Sequence, residues 1–410
     1  MFGAGKSGRA AEALGRALGW SVRVLDGGDA LPDGAFDLAV VSPGIALSHP
    51  WIAGARCRGI PLVSELQLGC EQLRAQGVRM LAVTGSKGKS SVVKVVADAI
   101  SLSGRRAVPC GNYGKPVCEV ALEGGCDWAV VEVSSFMMET TELPPGTFES
   151  AAILNLQEDH LDRHGSVAVY HGLKRRLLAM AREGGAIDNS RPADRRAIAP
   201  AGAGERDDCL AGSYFDNEIL RANGLAARSL MKAAGLDDAT VARAFREFVP
   251  LPHRMNLVAE LDGVRYVDDS KATSLAALAA GVRMAWRGPS GFRRLAAKFG
   301  FPWRRRVLLI AGGLPKGDDP KTVLPILTER VKKVYLIGQS AEAFSAVWGD
   351  AVDCEICGTM DRAVGMAKRD AAKGETVLLS PGTASFDQFQ SYGERGEVFA
   401  RLVQKEGQQR

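Results

Sequence analysis

The sequence predicts an α/β fold, and three observations lead to that prediction. Short runs of β-branched and other apolar residues recur along the chain, glycine-rich turns follow several of them, and stretches with helical patterning come next. The 410 residues include 47 glycines, a number that suits many strand-to-helix turns. Strands that are apolar without alternation are buried on both faces, so their alternation with helices indicates parallel sheets covered by helices.

The N-terminal part begins with a glycine pattern, Gly3-x-Gly5-x-x-Gly8, which predicts a tight turn that opens a helix. Residues 21–26 follow as a predicted strand, and the Gln-rich stretch 67–76 is predicted to be helical. The glycine pattern alone is a weak sign of nucleotide binding. A nicotinamide cofactor is disfavoured because a second and more specific phosphate loop follows at 85–90.

The remaining elements are dominated by buried strands. Residues 91–101 are predicted to be a helix, and 184–213, with few large apolar side chains, reads as irregular structure. The continuous apolar runs that predict strands are 79–84, 127–133, 151–155, 307–311, 333–338 and 376–380.

Two breaks divide the chain into three predicted domains. Near residue 78 the Gln-rich stretch gives way to a strand, and near residue 250 the sequence Val-Pro-Leu-Pro interrupts a helix. The predicted domains are therefore 1–78, 79–250 and 251–410. A length of 410 residues suits two to four domains.

Composition excludes several classes of protein. Hydrophobic residues at 46% and charged residues at 24% are typical of a globular protein, and the net charge of +5 is too small for a general nucleic-acid binder. No run of 18 apolar residues and no secretory signal are found, so we expect no membrane insertion. Eight scattered cysteines favour reduced thiols in the cytoplasm, and we interpret the lone pair Cys354 and Cys357 as structural.

The positive charge is concentrated between residues 283 and 306. Eight basic residues and no acidic residue lie there, interleaved with aromatic side chains. A solvated loop is the favoured interpretation, and peripheral contact with an anionic membrane surface or a nucleic acid remains open.

A phosphate loop is predicted at 84–91. The sequence Thr-Gly-Ser-Lys-Gly-Lys-Ser-Ser follows a strand and opens a helix, so that backbone N–H groups converge on phosphates at the helix N-terminus. The longer G-x4-GK[ST] pattern fails at Val83, whereas the shorter GxxGKS form is present. The predicted ATP-binding residues of the loop are Gly85, Ser86, Lys87, Gly88, Lys89, Ser90 and Ser91.

Acidic side chains and a histidine follow two of the predicted strands. Glu132 ends one strand, and 155–162, which includes His160, follows another. The carboxyl ends of strands in an open α/β sheet border the ligand crevice. Oxygen ligands there, together with Ser90, suit Mg²⁺ between phosphates. Alone, His160 would more often be a loop histidine, but the nearby phosphate loop favours a ligand.

Several segments in this order resemble the Mur ligase family. The resemblance implies three domains: an N-terminal Rossmann-like UDP-binding domain, a central P-loop ATPase-like domain with a parallel sheet, and a C-terminal Rossmann-like domain. The segments are SPGIALSHP at 42–50, TGSKGKSS at 84–91, EVSSF at 132–136, NLQEDHLDR at 155–163, LPHR at 251–254, DSKAT at 269–273, GG at 312–313 with KG at 316–317, and LSP at 379–381 with SFDQF at 385–389.

The resemblance further implies ATP-dependent formation of an amide bond. A substrate carboxylate takes the γ-phosphoryl group to give an acyl phosphate, which an amino acid then attacks. For this chain the implied substrates are UDP-N-acetylmuramoyl-L-alanine and D-glutamate, in the synthesis of peptidoglycan precursors. The implied cofactors are ATP and two Mg²⁺ ions, and we expect a monomer. A sibling ligase that adds another amino acid and an inactive nucleotide-binding scaffold are the alternatives.

Site residues follow from the positions of the motifs. The resemblance implies that Lys89 holds phosphates and that Ser90 and Glu132 bind one Mg²⁺, while His160 and a carbamylated Lys174 bind the second. An ammonium cannot ligate a cation, so Lys174 serves only when modified; the alternative is an exposed helix face. ATP contacts are also implied for Asn223, Arg254 and Asp269. Substrate contacts are implied for Lys6, Ser7, Pro43, Gly44, Asn112, Ser134, Lys271, Thr273, Lys316, Ser385 and Phe386.

Overall fold

The computed structural model of the protein describes residues 1–158, 160–190, 209–217, 219–285 and 306–405. Within these ranges the chain forms fourteen α-helices and three sheets of largely parallel strands, which confirms the predicted α/β class. Three short 3₁₀-helices lie at Met137–Thr140, Leu177–Met180 and Pro320–Val323. Most of the predicted basic segment, 286–305, lies outside the described residues.

The chain separates into two compact units. The first comprises 1–216 with 220–248, and the second comprises 217–219 with 249–410. The first unit contains the two smaller sheets, and the second contains the six-stranded sheet. The division into three domains stays a prediction.

The N-terminal sheet is small. Its two parallel strands pair at Ala39 with Leu62 and at Val40 with Val63. Phe2 is buried and forms single bridges to Val41 and to Leu25. The predicted strand at 21–26 is therefore wrong apart from Leu25, because Leu25 alone of these residues pairs with Phe2. The elements are β1 (Ala39–Val41), β2 (Leu62–Ser64), α1 (Lys6–Ala17), α2 (Pro50–Cys57) and α3 (Glu65–Ala75).

The central sheet has five parallel strands in the order β4-β5-β3-β6-β7. Its last strand lies within the stretch that the sequence predicts to be irregular, so that prediction is wrong at Ala186–Asp188; residues 191–208 lie outside the described residues. The strands are β3 (Arg79–Thr84), β4 (Ala107–Gly111), β5 (Trp128–Glu132), β6 (Ser150–Ile153) and β7 (Ala186–Asp188). The helices are α4 (Lys89–Leu102), α5 (Val117–Glu123), α6 (Leu161–His164), α7 (Val167–Arg176), α8 (Arg221–Ala233) and α9 (Asp238–Glu247).

The sheet of the second unit has the order β12-β11-β10-β13-β9-β8. It is parallel except at one edge, where β8 and β9 form an antiparallel hairpin that the sequence reading missed. Its strands are β8 (Asn256–Leu261), β9 (Val264–Asp268), β10 (Val307–Gly312), β11 (Val331–Ile337), β12 (Asp353–Gly358) and β13 (Thr376–Leu379). Its helices are α10 (Leu275–Ala285), α11 (Leu324–Arg330), α12 (Ala341–Trp348), α13 (Met360–Asp370) and α14 (Tyr392–Lys405).

Burial on both faces explains why the central strand of this sheet is apolar throughout. On β10, Leu309 packs into one core and Leu308 into the other. The two cores lie on opposite faces because successive side chains of a strand alternate. The continuous apolar run at 307–311 therefore predicted β10 correctly.

The cysteines and the helix lengths bear on two sequence predictions. All eight cysteines are free thiols, and Cys354 and Cys357 both lie on β12. The structural role of this pair stays a prediction. In the described part of the chain, every helix is too short or too polar to cross a lipid bilayer.

Candidate active site

The phosphate loop lies between the end of β3 and the start of α4. Gly85 and Gly88 have φ angles of +149° and +86°, which side chains other than glycine rarely adopt. Gly88 caps the N-terminus of α4, and a Cβ atom there would collide with the side-chain amide of Asn223. The predicted strand, loop and helix are confirmed, and the positive φ angles of the two glycines determine the conformation of the loop.

Asn155 holds the loop from the end of the neighbouring strand. Its side-chain oxygen accepts the N–H of Lys87 at 2.8 Å, and its side-chain nitrogen donates to the Lys87 carbonyl at 2.9 Å. Its own carbonyl accepts the N–H of Ser86 at 3.0 Å. The side chain of Asn155 therefore binds both the N–H and the carbonyl of Lys87 and holds the main chain of the loop in place.

Two lysines converge on one carbonyl of the loop. Lys89 Nζ donates to the Gly85 carbonyl at 2.8 Å, and Lys174 Nζ donates to the same oxygen at 3.0 Å. Lys174 lies on α7, is only 1% exposed and sits 4.7 Å from the centre of the Tyr170 ring. The alternative that Lys174 belongs to an exposed helix face is therefore wrong.

Glu132 is the buried carboxylate of this site. Its side chain is 2% exposed, and Oε1 accepts the side-chain amide of Asn112 at 2.7 Å. Among the described residues no group donates a hydrogen bond to Oε2, although that atom is buried too. A buried carboxylate oxygen without a donor is costly, and a bound cation would satisfy it.

His160 is exposed and has a left-handed backbone, with φ +53°. Its ring centre lies 4.8 Å from that of Phe136 and 6.2 Å from that of Tyr170. Within the described ranges, which leave out Asp159, no cluster of three or more His, Cys, Asp and Glu residues is arranged to hold a metal. The predicted metal set of Ser90, Glu132, His160 and Lys174 does not depend on such a cluster and stays a prediction.

The second unit carries a polar edge where β9 and β13 end. Asp269 is buried and accepts the hydroxyl of Ser380 at 3.0 Å. Burial raises the pKa of Asp269 to about 7, against the opposing effect of this hydrogen bond. Arg254 Nε is buried and has no hydrogen-bond partner in the part of the chain that the structure describes. Both residues are predicted ATP contacts.

The residues of this edge that are predicted to contact the substrate differ in exposure. Lys271 and Lys316 are exposed, and the Lys271 ammonium donates to the Tyr392 hydroxyl at 3.0 Å. Neither lysine pairs with a carboxylate of a described residue. Ser385 is buried, whereas Phe386 is 70% exposed. The edge thus presents two cations and an aromatic side chain to solvent.

Comparisons with known proteins decide the family. Residues 83–199 match the Mur ligase middle domain, and 253–382 match the Mur ligase glutamate ligase domain. The chain is 34% identical to a UDP-N-acetylmuramoylalanine–D-glutamate ligase of Nitratidesulfovibrio vulgaris (strain DP4), over 98% of this chain and 95% of that protein. A relative of the same name from Myxococcus xanthus (strain DK1622) is also 34% identical, over 98% and 97% of the two chains. The chain belongs to the Mur ligase family.

Solved structures agree with the fold of this Mur ligase. MurF ligase from Thermotoga maritima, solved in complex with ADP, matches with a TM-score of 0.59 at 16% identity over 90% of this chain and 96% of that chain. MurC from Thermotoga maritima matches with a TM-score of 0.55 at 15% identity, over 99% and 98% of the two chains.

The first unit of the Mur ligase brings most of its predicted nucleotide and metal residues together around β3, β5 and β6. Asn223 lies against the loop, with Asn155 Nδ2 3.4 Å from Asn223 Oδ1. Ser134 is half-buried after β5 and accepts the N–H of Met137 at 3.2 Å.

The predicted UDP contacts lie in the N-terminal part of this unit. Lys6 is exposed at the start of α1, and its ammonium donates to the Gly114 carbonyl at 3.0 Å. Ser7 follows it, and Pro43 with Gly44 forms the turn after β1. Thr273 lies apart from these in the second unit, half-buried just before α10.

Sequence reasoning missed several residues that shape the sites of this Mur ligase. Asn155 clamps the phosphate loop, and Tyr170 Oη lies 3.2 Å from Ser86 Oγ. Arg163 donates to the Ile45 carbonyl at 2.8 Å and pairs with Glu139 at 2.5 Å. Arg395 is completely buried in the second unit. Asn155 carried a signal in the sequence, because it is the first polar residue after the apolar run that ends at Leu154.

Proposed function

We propose that this Mur ligase joins D-glutamate to UDP-N-acetylmuramoyl-L-alanine at the expense of ATP. The observation that carries the proposal is the 34% identity, over nearly the whole chain, to curated ligases whose name states that reaction. The proposal includes a monomer in the cytoplasm, where the eight free thiols would stay reduced.

The phosphate loop supports ATP as the energy source. Its glycines leave the backbone N–H groups at the N-terminus of α4 open to an anion, and the helix dipole favours negative charge there. Lys89 holds its ammonium on the Gly85 carbonyl and, at 3.3 Å, on the Ser86 carbonyl. We expect this ammonium to exchange those neutral oxygens for the phosphate oxygens of ATP, because charge-assisted hydrogen bonds are stronger.

The proposed reaction has two balanced steps. An oxygen of the substrate carboxylate forms a bond to the γ-phosphorus while the bond from that phosphorus to ADP breaks. The amine of D-glutamate then forms a bond to the acyl carbon. The bond between that carbon and the phosphate oxygen breaks, phosphate leaves with its electron pair, and the nitrogen loses a proton. Both steps concentrate negative charge on phosphoryl oxygens, so positioning by the loop and neutralisation by Lys89 account for most of the expected catalysis.

The residues near the loop fit a divalent cation. Glu132 offers a buried carboxylate oxygen that no described residue satisfies, and Ser90 lies in the first turn of α4. Carboxylate and hydroxyl oxygens suit Mg²⁺, which when bound would neutralise charge on the phosphates. In the proposal Glu132 and Ser90 hold one ion. His160 and Lys174, once carbamylated, hold a second.

The second unit supports an anionic amino acid. Lys271 and Lys316 leave two positive charges at one sheet edge without a described carboxylate partner. Its match to a family model described as a glutamate ligase domain agrees with a dicarboxylate. Thr273, Ser385 and Phe386 complete the proposed amino-acid site.

Phosphate release tests the proposal directly. The purified protein is incubated with ATP, Mg²⁺ and UDP-N-acetylmuramoyl-L-alanine, and D-glutamate is compared with L-glutamate, L-alanine, L-lysine and meso-diaminopimelate. We expect phosphate release and a product of the expected mass with D-glutamate alone. Turnover with another amino acid would identify a sibling ligase, and ATP binding without turnover would identify an inactive scaffold.

Bicarbonate provides a second arm for the modified lysine. We expect that removing bicarbonate lowers the activity of the wild-type protein and that adding it restores that activity. Lys174→Ala should be inactive with or without bicarbonate. Wild-type activity that is independent of bicarbonate, together with an active Lys174→Ala variant, would contradict a role for a carbamate.

A further inference from the structure

Arg395, in the first turn of α14, is a buried cation at the polar edge of the second unit. It is 0% exposed. Its Nε donates to the Ser270 hydroxyl at 3.0 Å, and its Nη2 donates to the Ser270 carbonyl at 2.9 Å and to the Thr383 carbonyl at 3.2 Å. Its Nη1 donates to the Ala384 carbonyl at 3.2 Å. Four hydrogen bonds thus fix the guanidinium plane.

The oxygens that Arg395 binds belong to two loops, one after β9 and one after β13. Each is next to a predicted amino-acid contact, because Ser270 precedes Lys271 and Ala384 precedes Ser385. One side chain on a third element therefore sets the spacing between these two loops.

A third loop meets the same guanidinium. Leu314, after β10, bridges to Ala384, and a Cβ atom on Gly313 would lie 3.2 Å from Arg395 Nη1. This loop continues to Lys316. The three loops that carry the predicted contacts Lys271, Lys316 and Ser385 therefore pack around one buried cation.

Ser270 extends the arrangement to the aromatic side chain on this edge. Its hydroxyl accepts from Arg395 and donates to the Tyr392 carbonyl at 2.8 Å. The Tyr392 hydroxyl in turn accepts the Lys271 ammonium at 3.0 Å. A shift of the Arg395 guanidinium would therefore move the backbone of Lys271 through Ser270, and the Lys271 ammonium through Tyr392.

The charge of Arg395 is not neutralised by an ion pair. All four acceptors are neutral oxygens, and within the described ranges no carboxylate lies at ion-pair distance from it. Burial lowers the pKa of Arg395 to about 10, while Asp387 and Asp268 oppose that shift through space. The group is therefore still a cation at neutral pH. Burying an unpaired charge is costly, and a hydrophobic side chain would fill the space at lower cost.

We propose that Arg395 is a positioning residue for the amino-acid site, which holds the loops after β9, β10 and β13 in register and adds a positive potential that favours a dicarboxylate. This inference rests on the proposed function, because it assigns the site to an anionic amino acid. Arg395 is buried and does not touch the substrate; it acts through Lys271, Lys316 and Ser385.

Steady-state kinetics separate positioning from mere stability. Arg395→Lys keeps the charge but loses the planar guanidinium, and Ser270→Ala removes one of the four acceptors of Arg395 together with the hydroxyl that donates to the Tyr392 carbonyl. We expect KM for D-glutamate to rise about 10-fold or more in Arg395→Lys and about 3-fold in Ser270→Ala, because misplaced binding groups weaken a site. KM for ATP and for the UDP substrate should stay within about twofold of the wild-type values. Arg401→Lys, an exposed position on the same helix, is the matched control and should resemble the wild type.

Hydrogen exchange gives a readout that does not depend on turnover. The N–H of Lys271 donates to the His253 carbonyl at 3.1 Å, and the N–H of Ala384 donates to the Leu314 carbonyl at 3.1 Å. In Arg395→Lys we expect both amides to exchange faster than in Arg401→Lys, while the amides of β11 remain unchanged.

Each outcome supports or overturns the inference. A rise of KM for D-glutamate with faster exchange in the three loops supports it. An unchanged KM for D-glutamate overturns it, whether or not exchange changes, since Arg395 would then be only an anchor. A wild-type protein without D-glutamate-dependent turnover would contradict the proposed function and, with it, the role of Arg395 in a dicarboxylate site. Exchange would then report only whether Arg395 holds the three loops, and exchange equal to that of Arg401→Lys would overturn that part as well.

Discussion

The two polar sheet edges of this Mur ligase are built in contrasting ways. At the edge that carries the phosphate loop, Lys89 and Lys174 both donate to the Gly85 carbonyl, and the side chain of Asn155 binds the backbone of Lys87. At the edge of the second unit, Lys271 and Lys316 extend into solvent. The first edge presents main-chain groups of a loop that neighbouring side chains hold, and the second presents side chains on anchored loops.

The difference follows from what each edge is proposed to bind. Phosphates are bound mainly by converging backbone N–H groups, which glycine geometry provides, and Lys89 adds one cation at the same place. A small dicarboxylate is recognised by cationic side chains, which must be held at a fixed spacing. A buried support such as Arg395 is therefore expected behind the side chains of the second edge, whereas at the first edge Asn155 holds the main chain of the loop directly.

The largest expected effect comes from Lys89→Ala. Removing the ammonium should lower phosphate release by about 10³-fold or more, because charge stabilisation on transferring phosphoryl oxygens is lost. The fold should be retained, as judged by circular dichroism and thermal unfolding. Lys94→Ala, on the same helix and paired with Asp98 at 2.6 Å, is the control and should keep activity. Equal turnover in wild type and Lys89→Ala would contradict the assignment of the loop.

The second edge should respond to pH through Asp269. Its pKa of about 7 lies above the value in the unfolded chain, so the folded state binds the proton more tightly. The free energy of unfolding should therefore fall as the pH rises from about 4 to about 7, by up to about 4 kcal/mol.

Asp269→Asn should lack this contribution, so its stability relative to wild type should rise over the same pH interval. Chemical denaturation at several pH values measures the difference, with the exposed Asp350→Asn as a control. Parallel pH profiles for wild type and Asp269→Asn would show that the buried carboxyl does not titrate in this range.

Gly88→Ala tests whether the first edge depends on backbone geometry. Its φ of +86° strains an alanine, and the new Cβ atom would collide with Asn223. We expect KM for ATP to rise about 10- to 100-fold. Gly104→Ala is a matched control, since Gly104 has φ +84° and nothing within 4 Å of an added Cβ. Both variants should lose about 1–2 kcal/mol of stability from backbone strain, but only Gly88→Ala should have a raised KM for ATP. Equal KM values for ATP in the two variants would contradict a specific role of the Gly88 geometry in ATP binding.

The smallest expected effect is that of Tyr392→Phe. The variant removes the hydroxyl that holds the Lys271 ammonium at 3.0 Å but keeps the ring. We expect KM for D-glutamate to rise about 2- to 5-fold without a change in KM for ATP, since one neutral hydrogen bond contributes about 1 kcal/mol. An increase as large as that of Arg395→Lys would mean that Tyr392 itself, and not the guanidinium, sets the position of Lys271.

Local patterns predicted the parts of the fold that depend on neighbours along the chain. Residues 80–83 of β3 are all apolar and buried because β3 lies inside the sheet between β5 and β6, and the glycines and lysines that follow form the phosphate loop. The antiparallel edge of the second sheet was missed, although Asp262 and Gly263 both have positive φ and form a two-residue hairpin turn. An Asp-Gly pair between two apolar runs is the signal that was overlooked.

The sequence by itself determined the α/β class and the strand, loop and helix that would hold a phosphate, because periodicity and glycine conformation act over a few residues. Only the tertiary structure decided which charged side chains are buried and what they hold. Lys174 meets Gly85 across 89 positions, and Arg395 meets Ser270 across 125. Contacts over such distances depend on how the strands are ordered, and no local pattern in the sequence specifies that order.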